Sequence, residues 1–270
     1  MATFVLVHGA WAGALIWRHN ARAMRKAGHE VYTPTLTGIG ERRHLLSREI
    51  NLNTHIYDVL GVIEYEDLSD IVLVGHSYGG MVVTGVADAV PDKVASLVYL
   101  DAFVPADGQS LFSLLPPDAP QPATAPGEDW LTAPLPVEAF GQPSQEVRNF
   151  AARKATPQPT ACFSQRVKLT GGVQRIRRKA YIYCNDPEPT AFTPIHSIME
   201  ASVSHSNAYS REYYQESSPS RRRRFNILAC RLRECAPIRG FMQRSSKDNR
   251  AAGPRQWPRA PHAARPPVAL

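Results

Sequence analysis

Cysteine is scarce in this sequence, and long apolar runs are missing from it. The four cysteines are too few and too irregularly spaced in 270 residues for a disulfide scaffold or a zinc framework. No apolar run approaches the roughly 20 residues that a membrane-spanning helix needs. The opening segment, MATFVLVHGAWAG, lacks the basic start of a signal peptide and is typical of a strand. We therefore expect a cytoplasmic protein without a membrane segment.

A net positive charge is also missing from most of the chain. The net charge is +7, but residues 201–270 hold fourteen of the 31 Lys and Arg residues and only four of the 24 Asp and Glu residues. Residues 1–200 are therefore weakly acidic, so the basic character belongs to the tail alone. We expect one domain over residues 1–200 and a disordered, Pro- and Arg-rich tail over residues 201–270.

Strand-like runs alternate with helical segments along the first 200 residues. This alternation predicts an α/β fold with a doubly wound, mostly parallel sheet and right-handed crossovers. The predicted strands cover residues 3–7, 30–33, 70–74, 94–100 and 180–184, and the predicted helices cover 15–27, 53–64, 80–90 and 144–154. A proline-rich insertion over about 106–165 interrupts the alternation after a strand end. We interpret it as a small cap over the site, with a surface excursion of no function as the alternative.

The pentapeptide Gly75-His76-Ser77-Tyr78-Gly79 matches the pattern G-x-S-x-G between a buried strand and a helix. This context predicts a sharp turn that raises the Ser77 hydroxyl above the sheet edge as a nucleophile. A glycine-rich turn with a solvated serine is the alternative. Acyl transfer also needs N–H groups aimed at the developing oxyanion. We expect the Tyr78 N–H and the Ala10 N–H, from the loop after the first strand, to supply them.

Four segments carry a resemblance to a known family: FVLVHGAW, TPTLTGIGERRHLL, VLVGHSYGGMVV and LVYLDAFVP. They resemble the α/β-hydrolase superfamily, in particular its small-esterase branch with plant methyl esterases and hydroxynitrile lyases. The similarity runs from about residue 3 to about 195. It implies a Ser–acid–His triad with neither metal nor organic cofactor. The lyases have Thr after the first-loop His and a Lys beside the catalytic His, whereas this chain has Gly9, which favours ester hydrolysis.

The resemblance places the triad acid after the late strand, which makes Asp186 the candidate. Glu188 and Asp101 are the alternatives, and each of the three is also compatible with a turn-forming role. Three apolar residues are candidates for the substrate pocket or for ordinary core: Trp11, Met81 and Phe103.

A catalytic histidine is missing where the resemblance requires one. The intervening helix and strand need roughly 25–30 residues beyond the acid, but the window 211–222 contains no histidine. His205 is the candidate base, and His262 lies in a Pro- and Arg-rich stretch. His8 and His76 belong to the loop and the elbow, where we expect no proton transfer. Since a serine without a base is a poor nucleophile, the sequence predicts weak or absent esterase activity.

The tail beyond about residue 200 has neither a helical nor a strand period. Its composition is that of a GC-rich gene read out of frame, and we interpret it as the replacement of the last helix, strand and His loop by a frameshift. A genuine basic tail that contacts anionic partners such as nucleic acid is the rival interpretation. The sequence as a whole predicts a serine hydrolase that acts on small carboxylic esters through an acyl-enzyme. The alternatives are an inactive hydrolase-fold binding protein for small molecules and a hydroxynitrile-lyase-like enzyme.

Overall fold

The strands and helices were assigned in a computed structural model. It describes residues 1–116, 123–137, 145–184, 209–215 and 224–230. The strands are β1 (Thr3–Val7), β2 (Glu30–Tyr32), β3 (Ile71–Ser77), β4 (Val94–Ala102), β5 (Thr124–Ala125), β6 (Glu128–Thr132), β7 (Gln158–Pro159), β8 (Lys179–Cys184), β9 (Tyr209–Gln215) and β10 (Arg224–Cys230). The helices are α1 (Arg18–Lys26), α2 (Leu52–Tyr65), α3 (Gly79–Ala89), α4 (Leu111–Leu114), α5 (Gln145–Lys154), α6 (Ala161–Ser164) and α7 (Gly172–Arg175).

The main sheet has seven strands in the order β2-β1-β3-β4-β8-β10-β9. Strands β2, β1, β3, β4 and β8 are parallel to their neighbours in this order, and helices or the cap connect them. This arrangement confirms the predicted fold class, a doubly wound and mostly parallel α/β sheet. Parallel strands that are covered on both faces consist of nearly continuous apolar residues, as the sequence TFVLV of β1 does.

The core lies on both faces of this sheet. Along β1, Phe4 and Leu6 pack into one apolar cluster together with Trp17 and Met24 of the α1 region. The alternate residues of the sheet face a larger cluster that contains α2, α3 and part of the cap. Helix α2 is capped by Asn51, whose side chain accepts hydrogen bonds from the Asn53 and Thr54 N–H groups in a capping box.

Between β4 and β8 the chain contains an insertion with a second, smaller sheet. Strands β5, β6 and β7 form a separate three-stranded antiparallel sheet, accompanied by the short helices α4 and α6 and by the longer α5. Within the cap sheet, Thr132 of β6 pairs with Gln158 of β7. The side chain of Arg48, in the body, lies over the Trp130 ring of β6 at 5.1 Å and ties this sheet to the domain.

Two described segments of the chain lie beyond residue 200. These segments, β9 and β10, form an antiparallel hairpin, and β10 pairs antiparallel with β8. Aromatic residues in YSREYYQ and the apolar run in RFNILAC suit a strand, although the neighbouring arginines obscure any regular period. No helix in the described ranges is both long enough and apolar enough to cross a membrane.

Candidate active site

The turn between β3 and α3 holds Ser77 in a strained conformation. Its φ of 53° lies in the left-handed region, which is uncommon for residues other than glycine. The turn packs tightly on the next strand, since the Phe103 N–H donates to the Ser77 carbonyl at 3.2 Å. A Cβ on Gly80 would lie 2.0 Å from the Phe103 carbonyl oxygen, so only glycine fits at the start of α3. The serine is therefore held at the carboxyl edge of the sheet by its neighbours on both sides.

The loop after β1 lies directly beside this serine. A Cβ on Gly9 would approach both the Ser77 Cβ and the His76 Nδ1 to 3.0 Å. Neither the Ala10 N–H nor the Tyr78 N–H donates a hydrogen bond to another residue in the described ranges. Oxyanion holes are built from backbone N–H groups that have no partner within the chain.

Three of the five non-glycine residues with positive φ in the described ranges lie at this edge of the sheet. Trp11 follows β1 with a φ of 58°, Ser77 ends β3 at 53°, and Asp101 lies near the end of β4 at 43°. Strands β1, β3 and β4 are neighbours, and the pairing of β3 with β4 shifts register where Ser77 opposes Ala102. Non-glycine residues with positive φ concentrate at functional sites, because the surrounding structure must hold them there.

Two histidines lie close to Ser77, and neither forms a hydrogen bond with its hydroxyl. His8 is fully buried, its Nδ1–H donates to the Gly9 carbonyl at 2.8 Å, and its Nε2 accepts the Leu36 N–H at 3.1 Å. Burial lowers the pKa of His8 and that of His76 to about 4 in each case. His76 Nδ1 is buried without a hydrogen-bond partner in the described ranges. Both imidazoles are therefore neutral, and His8 is committed to ordering its loop.

A buried polar network supports the residue that follows the serine. The Tyr78 hydroxyl donates to His55 Nδ1 at 2.8 Å, and His55 Nε2–H donates to the Thr37 carbonyl at 3.0 Å. Asp58 accepts both the N–H and the hydroxyl of Thr37, and it pairs with Arg42. Burial lowers the pKa of His55 to about 4, so the ring stays neutral and can accept the phenol proton. Sequence reasoning missed this network because His55 lies in a helix far from the motif.

The cap meets the site at Trp11. The indole packs against Phe163 of α6 with the ring centroids 5.6 Å apart, and Phe163 also contacts Tyr78 and Phe112. Cys162 lies beside this cluster, and burial raises the pKa of its thiol to about 12. The thiol is thus protonated and does not compete with Ser77 as a nucleophile.

The structure brings together some of the residues that the sequence proposed for the site. Ser77, Tyr78, Ala10 and Trp11 lie at one edge of the sheet. Met81 and Phe103 are buried in the main core, where their side chains pack as core residues do. The remaining candidates lie outside the described residues: Asp186, Glu188, His205 and His262.

Comparison with known proteins agrees with this architecture. The family model described as "Alpha/beta hydrolase family" matches residues 4–219. A carbendazim hydrolyzing esterase from Nocardioides sp. (strain SG-4G) is 46% identical over 203 residues, which cover 71% of this chain and 84% of that enzyme. Methylesterase 7 from Arabidopsis thaliana is 34% identical over 104 residues, and the match covers only 38% of this chain and 40% of the plant enzyme.

A solved structure supports the same assignment. An extracellular α/β-hydrolase from a Paenibacillus species superposes with a TM-score of 0.59 at 30% identity, covering 67% of this chain and 76% of that one. The elbow at Ser77, the loop beside it and these matches lead to one conclusion: the chain belongs to the alpha/beta hydrolase family, as an esterase-type member.

Proposed function

We propose that this chain is a serine hydrolase that cleaves small carboxylic esters through an acyl-enzyme on Ser77. The observation that carries the proposal is the strained elbow, where Ser77 has a φ of 53° beside the Gly9–Ala10 turn. In the first step the Ser77 Oγ bonds to the ester carbonyl carbon, and the carbonyl oxygen gains negative charge. The Ala10 and Tyr78 N–H groups stabilise that charge. The carbon–alkoxy bond then breaks, and the alcohol leaves with a proton.

The serine proton requires a general base, and the described histidines are poor candidates for it. His8 has both ring nitrogens engaged, and His55 is committed to Tyr78 and Thr37. His205 is the candidate base that the sequence offers, with Asp186 as the acid that would orient it. Because the window 211–222 contains no histidine, we propose slow turnover that depends little on His205. Water then attacks the acyl-enzyme and releases the carboxylic acid, which regenerates the serine.

The substrate that we propose to test first follows from the most similar relative described above. That relative is named for hydrolysis of carbendazim, a methyl carbamate with a flat aromatic ring. The aromatic side chains of Trp11 and Phe163 lie together where the cap meets the site. We therefore propose small methyl esters and carbamates that carry an aromatic group.

A noncatalytic binding protein is the second candidate. It is favoured by one observation: the window 211–222, where the resemblance places the catalytic histidine, contains no histidine. Hydrolysis of p-nitrophenyl acetate and of carbendazim separates the two functions. The proposal requires turnover that Ser77→Ala abolishes and that the control Ser47→Ala, at an exposed serine, leaves intact. Ligand binding without turnover would favour the binding protein.

A further inference from the structure

Trp11, next to the proposed oxyanion donor Ala10, is held by the cap through three hydrogen bonds. Its backbone N–H donates to Gln158 Oε1 at 3.0 Å, and its carbonyl accepts the Thr156 N–H at 3.0 Å. Its indole N–H donates to the Thr132 carbonyl at 3.2 Å. All three polar groups of this residue are thereby occupied by one part of the cap.

The partners of Trp11 are themselves fixed relative to one another. Thr132 and Gln158 are paired residues on β6 and β7. The Thr156 hydroxyl accepts the Gly40 N–H at 3.1 Å, which ties the same segment to the loop beyond β2. The cap sheet is therefore a rigid support, and Trp11 has a left-handed backbone, with φ 58°, that needs such support.

Of the three hydrogen bonds of Trp11 in the described ranges, only the one with Gln158 joins a side chain of the cap to the Trp11 backbone. Gln158 is fully buried, and its Nε2 has no hydrogen-bond partner among the described residues. Since the Trp11 N–H is a donor, the amide oxygen of Gln158 must face it, which fixes the orientation of the amide. An apolar side chain here would remove the unpartnered Nε2 but would leave the Trp11 N–H buried without an acceptor.

The contact with Gln158 anchors the peptide plane next to the Ala10 N–H. The Gly9–Ala10 plane carries the Ala10 N–H, and it meets the Ala10–Trp11 plane, which carries the Trp11 N–H, at the Ala10 Cα. An anchored second plane restricts the rotations about that Cα that would turn the first. Because the Trp11 N–H is bound to Gln158, it is engaged within the chain, whereas the Ala10 N–H has no intramolecular acceptor in the described ranges.

We infer that Gln158 is a positioning residue for the oxyanion hole, through which the cap sets the direction of the Ala10 N–H beside Ser77. The inference rests on the proposed function. A misplacement of about 1 Å at a reacting group can lower a rate about a hundredfold, and loss of one oxyanion donor lowers it by about a hundredfold to a thousandfold. Removal of the Gln158 acceptor should therefore lower kcat at least about tenfold, with a much smaller change in KM.

Three variants of the full chain test the inference. Gln158→Met removes the acceptor at similar volume, and Gln158→Glu keeps an oxygen at the same place. The matched control is Gln165→Met, since Gln165 Oε1 also accepts a backbone N–H of the body, that of Asn53 at 3.2 Å, but lies away from Trp11. Each variant is assayed with an aryl ester and its thionoester, in which sulfur replaces the carbonyl oxygen and accepts hydrogen bonds only weakly.

The ratio of the two kcat/KM values reports on the oxyanion hole rather than on folding. We expect Gln158→Met to lower the oxoester-to-thionoester ratio at least about fivefold, Gln158→Glu to restore most of it, and Gln165→Met to keep it within about twofold of the unaltered chain. A Gln158→Met ratio equal to that of Gln165→Met would overturn the inference.

A second measurement keeps the inference testable if the chain hydrolyses no ester, an outcome that would refute the proposed function alone. Amide resonances of ¹⁵N-labelled protein are compared between the unaltered chain, Gln158→Met and Gln165→Met. The inference requires the Ala10 and Trp11 amide shifts to change in Gln158→Met and to stay in place in Gln165→Met. An unchanged Ala10 resonance in folded Gln158→Met would contradict it.

Discussion

At the scale of single residues, the site depends on close approaches that leave no room for a side chain. Gly80 lies against the Phe103 carbonyl, and the Gly9 Cα faces the Ser77 Cβ. The strained φ of Ser77 persists because such contacts surround it. Where a glycine has open space instead, a methyl group should stabilise the chain, so a pair of glycine substitutions separates the two situations.

Gly80→Ala should lower the free energy of unfolding by at least about 2 kcal/mol, because the new methyl group would lie 2.0 Å from the Phe103 oxygen. Gly61→Ala is the matched control, since Gly61 lies inside α2 and a Cβ there meets no atom within 4 Å. That substitution should raise the free energy of unfolding by about 0.5–1 kcal/mol. Urea denaturation of both variants measures the difference, and equal stability would refute the packing argument at the elbow.

The second prediction at this scale concerns His205. Because the expected window for a catalytic histidine contains none, we expect ester turnover several orders of magnitude below that of a complete triad. His205→Ala should change this residual rate little, since the oxyanion hole supports most of it. Fast turnover that His205→Ala abolishes would show that the triad is intact and that the sequence argument against it was wrong.

At the scale of secondary-structure elements, α3 is held at both ends. Its first turn packs on the elbow, and at its last turn Asp88 accepts hydrogen bonds from the Thr170, Gly171 and Val173 N–H groups, at 2.6, 3.1 and 3.0 Å. Burial acts to raise the pKa of Asp88, but the hydrogen bonds from this loop outweigh it and lower the pKa. The orientation of α3, and with it the elbow, depends on both attachments.

Asp88→Ala should lower the free energy of unfolding by about 2–4 kcal/mol, since several buried and part-buried donors lose a charged acceptor at once. Asp92→Ala is the matched control, because the Asp92 carboxylate binds Arg175 in the adjacent segment but both side chains are exposed. Its effect should stay below about 1 kcal/mol. Thermal or urea unfolding checks both values, and a mild effect of Asp88→Ala would mean that the loop can find other acceptors.

Local sequence patterns predicted the elements of the body well. Continuous apolar runs marked β1 and β4 within two residues, whereas β3 extends to Ser77 because the motif itself completes the strand. The cap sheet was missed, since strands of two residues beside prolines leave no period to detect. The supports of the site were missed for a related reason: Trp11 and Gln158 are 147 positions apart, and only the folded chain brings them together.

At the scale of the whole molecule, neutral histidines in the core make stability depend on pH. Burial lowers the pKa of both His8 and His55 to about 4, whereas an unfolded chain has histidines near 6.5. Between pH 4 and pH 6.5 the unfolded state binds more protons than the folded state. The contribution of each buried neutral histidine to the free energy of unfolding is therefore complete above about pH 6.5 and is lost as the pH falls toward 4.

Each such histidine should contribute a slope of about 1.4 kcal/mol per pH unit in this window. His55→Gln should therefore reduce the pH dependence of the free energy of unfolding by about that amount. Urea titrations at several pH values between 4 and 7 measure it, with His19→Gln, at an exposed histidine, as the control. The same slope in His55→Gln and in the unaltered chain would exclude His55 as a source of the pH dependence.

The most direct test of the central claim is covalent labelling of the full chain with a fluorophosphonate, followed by peptide mass spectrometry. The claim is that the elbow, with the Ala10 and Tyr78 N–H groups beside it, makes Ser77 the nucleophile. It predicts one phosphonyl group per chain, located on the peptide that contains Ser77 and absent in Ser77→Ala. A folded chain that stays unlabelled, or that is labelled equally in Ser77→Ala, would contradict it.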